Sequence, residues 1–274
     1  MNTETLSKLI AERLERNSKK LSEEFSSSNI FTSTKFFFID DLLPEEFVLD
    51  VYDNLPERDT YNFRDTFRER KFTFSNLNDL DNPIIDNIAS AFQMDNVVKA
   101  VEKITKINHL ESDPSLYAGG ISRMDLGHFL NPHIDNSHDA DKKKYRRFNI
   151  LFYIAPDIQE SDGGNLELWD QKVKKPFKIA SKFNRLVVME TNKYSWHSVD
   201  PVCKNIHRCC VSSYFFSKSS PEDFEYYHVT SFMGRPNEFL KRTYGVVDNF
   251  LRNYVVKTTG FSRGKKFMKT IDKY

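Results

Sequence analysis

The chain has 274 residues, 39 % of them hydrophobic and 14 % aromatic, enough to build one large core or two small ones. Lys plus Arg is 40 against 39 for Asp plus Glu, so the net charge of +1 supplies no global field for nucleic acid or an anionic membrane, and any charged partner is met locally. Cys203, Cys209 and Cys210 give no paired framework, "MNTETLSKLIAERLERNSKK" has no uninterrupted apolar region, and no run approaches the roughly 18 apolar residues of a membrane span; a soluble, unprocessed, cytoplasmic protein is expected.

In chain order, Leu6, Leu9, Ile10, Leu14, Leu21 and Phe25 fall at helical spacing, so the first 26 residues read as one amphipathic helix, broken by "SSSN" at 26 to 29. "KFFFIDDLLPEEF" reads as a strand from Lys35 to Ile39, a turn through Asp40 and Asp41, and a helix with Pro44 in its first turn. Residues 57 to 82 are polar and aromatic without a clear period, while "NPIIDNIASAF" and "NVVKAVEKITKI" give two more helical stripes, each with an Asn suited to cap it. From about 117 the pattern turns to short strand-like runs: "LYAGGISRM", "FNILFYI", "NLELWD", "FKIAS", "RLVVME", "SWHSV" and "CCVSSYFF". So many short strands suit a sandwich or barrel rather than a parallel sheet. After Phe216, helical spacing returns with Phe239, Leu240, Tyr244, Val247, Phe250 and Leu251 on one stripe. The final "RNYVVKTTGFSRGKKFMKTIDKY" carries seven Lys or Arg against one Asp, either a solvated tail or an anion or partner contact. The organisation expected is one α+β domain: 1–116 a mainly helical support with an initial strand, 117–217 a β core, 218–274 a helical extension and basic tail.

Within "NPHIDNSHDADKKKYRRFNILFYI", His133 and Asp135 stand two residues apart, and on a strand such positions share a face, so an imidazole and a carboxylate could meet one ion. His197 in "KYSWHSVDPV" is the candidate third ligand; two His and one carboxylate hold Fe(II) with positions left open. His-x-Asp alone arises often by chance. Specificity comes from the order of the downstream segments: "FNILFYI", "DGGNLELW", "NRLVVME", "WHSVDPV", and Arg208 opening "RCCVSSYFF". His128 and His138 stand five residues to either side of His133, which shares neither a strand nor a helix face, so they read as loop residues or outer neighbours. Cys210, two residues beyond Arg208, is either a buried small hydrophobe or a thiol open to oxidation.

On these residues the sequence resembles the prolyl-4-hydroxylase-like branch of the Fe(II)- and 2-oxoglutarate-dependent oxygenases, from about Lys35 to Phe216, including the "FFIDDLLPEEF" entry. The resemblance implies a double-stranded β-helix of the jelly-roll kind with flanking helices. It implies Fe(II) bound by His133, Asp135 and His197, and 2-oxoglutarate as co-substrate with its distal carboxylate on Arg208. It further implies an O2-dependent hydroxylation of an unactivated C–H bond with succinate and CO2 as co-products. Arg suits a dicarboxylate because it gives a permanently charged, bidentate fork. Tyr153 is assigned as a hydroxyl donor to the same carboxylate, or else a core tyrosine, and Leu166 after the double glycine as a pocket wall. Because position 135 is a carboxylate, no ligand position is left for a halide, and hydroxylation is expected over halogenation.

The chain departs from the branch at Arg123, ten residues before the first iron ligand, where many members carry tyrosine. Arg123 is either a contact for an anionic substrate or the co-substrate, or an ordinary ion pair with Asp125. Tyr214, also set on the substrate side, stands where nucleobase demethylases carry a second arginine, which argues against nucleic acid. The 57 to 82 segment and the loop "DNSHDADKKKYRR" could fold over the site as lids, or equally a long loop could clamp an extended peptide. A small, anionic or amino-acid-like metabolite is the preferred substrate; a prolyl or other peptidyl substrate, and a jelly-roll binding module without catalysis, are the alternatives.

Overall fold

A computed structural model of the chain describes residues 1–75, 77, 82–113 and 119–259. Helices α1 (Thr3–Arg16), α2 (Ser18–Ser27), α4 (Pro83–Ala91) and α5 (Asp95–Thr105) form a layer on one face of the sheet; α3 (Glu45–Asp53) follows strand β1 (Phe36–Ile39). The single N-terminal helix expected is two. Asn17 ends α1 with its side chain donating to the carbonyl of Arg13 at 2.8 Å, a local bond that competes with helix continuation. Asn82 caps α4, accepting from the N–H groups of Ile84 and Ile85. The cap expected for α5 does not form: Met94 is its N-cap, and Asn96 lies inside the first turn, accepting from Val97 N–H.

The remaining strands are β2 (Asn62–Asp65), β3 (Glu69–Phe74), β4 (Gly120–Met124), β5 (Phe129–Ile134), β6 (Tyr145–Tyr153), β7 (Leu166–Trp169), β8 (Pro176–Ile179), β9 (Arg185–Glu190), β10 (His197–Val199), β11 (Arg208–Ser217) and β12 (Ser231–Phe232). They pair antiparallel in the order β1-β9-β6-β11-β4-β3-β5-β10-β7-β8, with β2 on β3 and β12 on β5. The sheet curls into the double-stranded β-helix, with helices on its outside.

Apolar runs such as "RLVVME" follow from burial on both faces. Along β9, Leu186 and Val188 face the helices with Phe148, Phe152 and Phe215, while Val187 and Met189 point into the curl with Phe36, Leu168 and Ile179. The adjacent cysteines divide the same way, Cys209 in the helix-side core and Cys210 inside. Each such large side chain contributes roughly 2–3 kcal/mol by leaving water.

Two expectations change. The described part of the 57–82 segment is no lid: it forms the β2–β3 hairpin, and β3 is built into the wall between β4 and β5. Helix α6 (Phe239–Thr259) forms, but its apolar stripe faces outward, with Phe239, Leu240, Tyr244, Val247, Phe250 and Leu251 all exposed. The start of the "LYAGGISRM" run, the 116/117 boundary and residues 260–274 of the basic tail lie outside the described residues.

Candidate active site

β5 and β10 run side by side with His133 directly opposite His197, which sets their rings 4.0 Å apart, and Asp135 comes just after the last residue of β5. The two rings and the carboxylate offer ligand atoms within 4.8 Å of one another. Nε2 of His133 lies 3.6 Å from Oδ1 of Asp135, and Nε2 of His197 lies 3.7 Å from Oδ2.

Each ring is held by backbone. His133 Nδ1 lies 3.1 Å from the carbonyl of Asn131, and His197 Nδ1 2.9 Å from that of Ser195. A carbonyl only accepts, so Nδ1 carries the proton and Nε2 keeps its lone pair for a metal. Burial and the neighbouring His133 push the His197 pKa down to about 4, leaving the ring neutral at neutral pH. Burial opposes the charge on Asp135, yet contact with His133 and the charge of the Arg146 guanidinium outweigh it and hold the carboxyl well below the usual carboxylate range. Asn149 donates to Asp135 Oδ2 at 2.8 Å and fixes its orientation. Two imidazoles presenting Nε2 and one carboxylate are the donor set that suits Fe(II).

In the same cavity, Arg208 is 4 % exposed. Its Nε donates to the Gly164 carbonyl at 2.9 Å and to Ser181 Oγ at 3.2 Å, and its Nη1 meets only the sulfur of Met124, at 3.8 Å. Among the described residues no carboxylate pairs with it. Tyr153 sets its ring 4.9 Å from the guanidinium, and its hydroxyl lies buried beside Ser181 and Arg208 without a formed hydrogen bond. A buried cation with no counter-ion and an orphaned hydroxyl beside it fit a carboxylate ligand. The double glycine makes room: a Cβ on Gly164 (φ +73°) would lie 3.4 Å from Arg208 Cγ and Cδ, and one on Gly163 (φ +76°) 2.0 Å from the Pro201 carbonyl oxygen.

The triad, Arg208, Leu166, Cys210 and Tyr214 line one cavity of about 710 Å³. Burial pushes the Cys210 thiol up to about 11, which keeps it protonated and unreactive as a nucleophile. The loop after Asp135 reaches the cavity through Asn136 and Asp139. His128 instead packs against the rings of Phe63 and Phe72, and His138 against Tyr145 and Tyr227.

Of the two readings of Arg123, the ion pair with Asp125 is the one that forms. On β4, Ser122 and Met124 point into the cavity, so Arg123 points out; its Nε pairs with Asp125 Oδ1 at 2.9 Å and its Nη2 lies 3.1 Å from His207. Besides Arg208, the cations that do line the cavity are Arg64, Arg68 and Lys71 of the hairpin, Arg146 of β6 and Arg252 of α6. Arg146 is 2 % exposed, with Nη1 3.3 Å from Asp135 Oδ2 and its guanidinium 3.8 Å from the centre of the Tyr214 ring. Along β3 and just beyond it, Glu69, Lys71, Thr73 and Ser75 all face the cavity, a period-2 polar pattern that a search for apolar periods passes over.

Residues 119–216 match the sequence model of the 2OG-Fe(II) oxygenase superfamily. Through this segment the chain carries the sequence pattern of that superfamily. Its co-substrate is 2-oxoglutarate and its metal Fe(II), and the family's members are dioxygenases. No curated protein sequence matches the chain. Among solved structures, a Pseudomonas putida prolyl-4-hydroxylase is similar at 16 % identity and a TM-score of 0.52, over 73 % of this chain and 100 % of that one. A prolyl 4-hydroxylase from Phytophthora capsici is similar at 19 % identity and 0.54, over 90 % of this chain and 77 % of that one. An oxidoreductase of the 2OG-Fe(II) oxygenase family from Burkholderia pseudomallei is similar at 14 % identity and 0.51, over 74 % and 92 %. These likenesses show the fold, a double-stranded β-helix core with flanking helices.

Proposed function

We propose that this oxygenase hydroxylates an unactivated C–H bond of a small anionic or amino-acid-like metabolite. His133 and His197, through Nε2, and the Asp135 carboxylate would hold the iron. Arg208 and Tyr153 would take the distal carboxylate of 2-oxoglutarate, with Leu166 as apolar wall. The observation that carries the reading is the buried, carboxylate-free Arg208 opening into the same cavity as the triad.

When bound, iron and 2-oxoglutarate supply the oxidising chemistry, an O2-dependent decarboxylation to succinate and CO2 that puts an oxygen atom on the substrate. The chain's own part is positional. The backbone bonds of His133 and His197 hold the rings, Asn149 turns the carboxylate, and the walls keep the site drier than bulk water.

The substrate class is supported by the walls. Arg64 and Lys71 share Glu69, at 3.2 and 3.0 Å, while Arg68 and Arg252 share Asp248. Two cations to each carboxylate leave the lining with excess positive charge, and a cavity of about 710 Å³ suits a small molecule. Anionic substrates thus find a charge role that Arg123, facing outward, does not supply. Tyr214, beneath Arg146, would border the substrate.

The test is an anaerobic titration with Fe(II) and 2-oxoglutarate, monitoring the weak visible metal-to-ligand charge-transfer band in wild type and Arg208→Ala. A band that weakens in the variant supports the site; its absence from folded, iron-loaded protein favours a binding module. Product mass spectrometry then decides substrate size, and turnover confined to polypeptides would overturn the small-molecule reading.

A further inference from the structure

Helix α6 is amphipathic in the reverse sense. Its inward positions are polar: Arg242, Asp248, Asn249, Arg252 and Asn253, with Gly245 where the helix touches β12. Arg242 donates to the carbonyls of Lys172, Val173 and Gly234. Asn249 brackets Phe232, donating to its carbonyl and accepting from its N–H, and Asn253 accepts from Val229 N–H. Asp248 pairs with Arg68 of the hairpin turn, and Arg252 bonds the carbonyl of Thr230. A Cβ on Gly245 would lie 2.7 Å from the Phe232 carbonyl oxygen, so the helix backbone is pressed against β12. The docking of α6 is therefore specific, and it leaves the apolar arc outside.

That arc holds Phe239 (77 % exposed), Leu240 (81 %), Val247 (53 %), Phe250 (70 %) and Tyr254 (60 %) among its members. A contiguous apolar face of this kind marks a protein or membrane contact. Its charge decides between them. The one carboxylate in the helix, Asp248, is turned inward onto Arg68, so the outward arc carries none. The sequence beyond the helix, "FSRGKKFMKTIDKY", adds Arg263, Lys265, Lys266, Lys269 and Lys273 against Asp272 alone. An apolar arc free of carboxylates, followed in the sequence by a basic-aromatic stretch, complements an anionic lipid surface.

We infer that α6, with the basic stretch after it, docks the protein onto anionic membrane surfaces, the arc entering the headgroup boundary while the polar side stays fixed to the enzyme. This is surface attachment: no helix among the described residues is long and apolar enough to cross a membrane. Leu251 and Val255 belong to the arc and also line the cavity, so the mouth opens beside the docking face. The inference stands on α6 and its charge, independent of the reaction proposed above.

The test is co-sedimentation of the full chain with vesicles of phosphatidylcholine, with and without phosphatidylserine, alongside sedimentation velocity without lipid. The double variant Val247→Asp/Phe250→Asp touches two exposed positions outside the cavity, and Lys265→Glu/Lys266→Glu alters charge alone. Wild type is expected to sediment with the phosphatidylserine vesicles, less so in high salt, and each double variant to bind at least about tenfold more weakly with an unchanged melting midpoint. Wild type that stays in the supernatant, or variants that bind as wild type does, would overturn the inference. So would a wild-type dimer that Val247→Asp/Phe250→Asp dissociates in the absence of vesicle binding, which would assign the face to a second copy.

Discussion

Arg208 donates from Nε to the carbonyl oxygen of Gly164 at 2.9 Å, tying the start of β11 to the double-glycine turn before β7. The bond aims the remaining guanidinium nitrogens past Met124 into the cavity. Because Gly164 sits at φ +73° with Arg208 and Val202 atoms 3.3–3.4 Å from where a Cβ would be, Gly164→Ala is expected to cost about 1–2 kcal/mol of stability. It should also weaken 2-oxoglutarate binding. Arg208→Lys keeps the charge but loses the planar fork, and a weakening of about tenfold or more is expected. Anaerobic calorimetric titration measures both; affinities equal to wild type would remove Arg208 from the proposed co-substrate site.

Asn149 is the second positional residue. Its amide donates to Asp135 Oδ2, and its own Oδ1 is buried without a partner, so the side chain is held chiefly for the carboxylate's sake. Asn149→Ala should lower affinity for Fe(II), or for Mn(II) as a stand-in, by about 10–100-fold, as loss of an outer partner does. Folding stability should change little. Metal titration by intrinsic fluorescence checks it, and unchanged affinity would show that Arg146 alone orients Asp135.

Much of the barrel was legible because its strands are short, apolar and punctuated, and the cluster at His133, Asp135 and His197 because two ligands share a strand end and the third lies opposite. The hairpin β2–β3 was missed for a physical reason. Its inward side faces a polar cavity, so "ERKFTF" sets Glu69, Lys71 and Thr73 inward while Phe72 and Phe74 pack on the helix-side core, and the polar face breaks up the apolar run. The α6 stripe misled in the same way: helical spacing gives the period of a face, and burial is decided by what the opposite face can bond, here Arg242, Asn249 and Asn253. Arg123 turned outward by strand parity alone, readable once Ser122 and Met124 are known to face in.

The pairing of Arg123 with Asp125 and His207 on the outer side makes a negative result the expected one. Arg123→Ala should leave 2-oxoglutarate affinity and substrate KM unaltered and cost about 1 kcal/mol or less, the range of a partly exposed ion pair. A steady-state comparison with wild type is sufficient. A rise in KM of about tenfold, or 1.4 kcal/mol, would return Arg123 to the substrate side and require the β4 strand to rotate on binding.

Glu24 provides a pH dependence away from the metal site. It lies half-buried on α2, facing the backbone of Phe38 with Lys20, Arg185 and Asp40 nearby; burial outweighs the bond from Phe38 and the two cations and raises its pKa from 4.5 to about 7. The folded value is the higher one, so between these pH values the native state keeps a proton that the unfolded chain releases. This contribution is complete below about pH 4.5 and lost as pH rises through about 7. Glu24→Gln removes the titration. After allowance for partial solvent access, the variant should exceed wild type by on the order of 2 kcal/mol above neutral pH and converge with it in mild acid. Urea unfolding of both proteins across that range isolates the residue, because every other titrating group is common to the pair. A difference that stays flat with pH would mean that Glu24 ionises as freely in the folded chain as in the unfolded one.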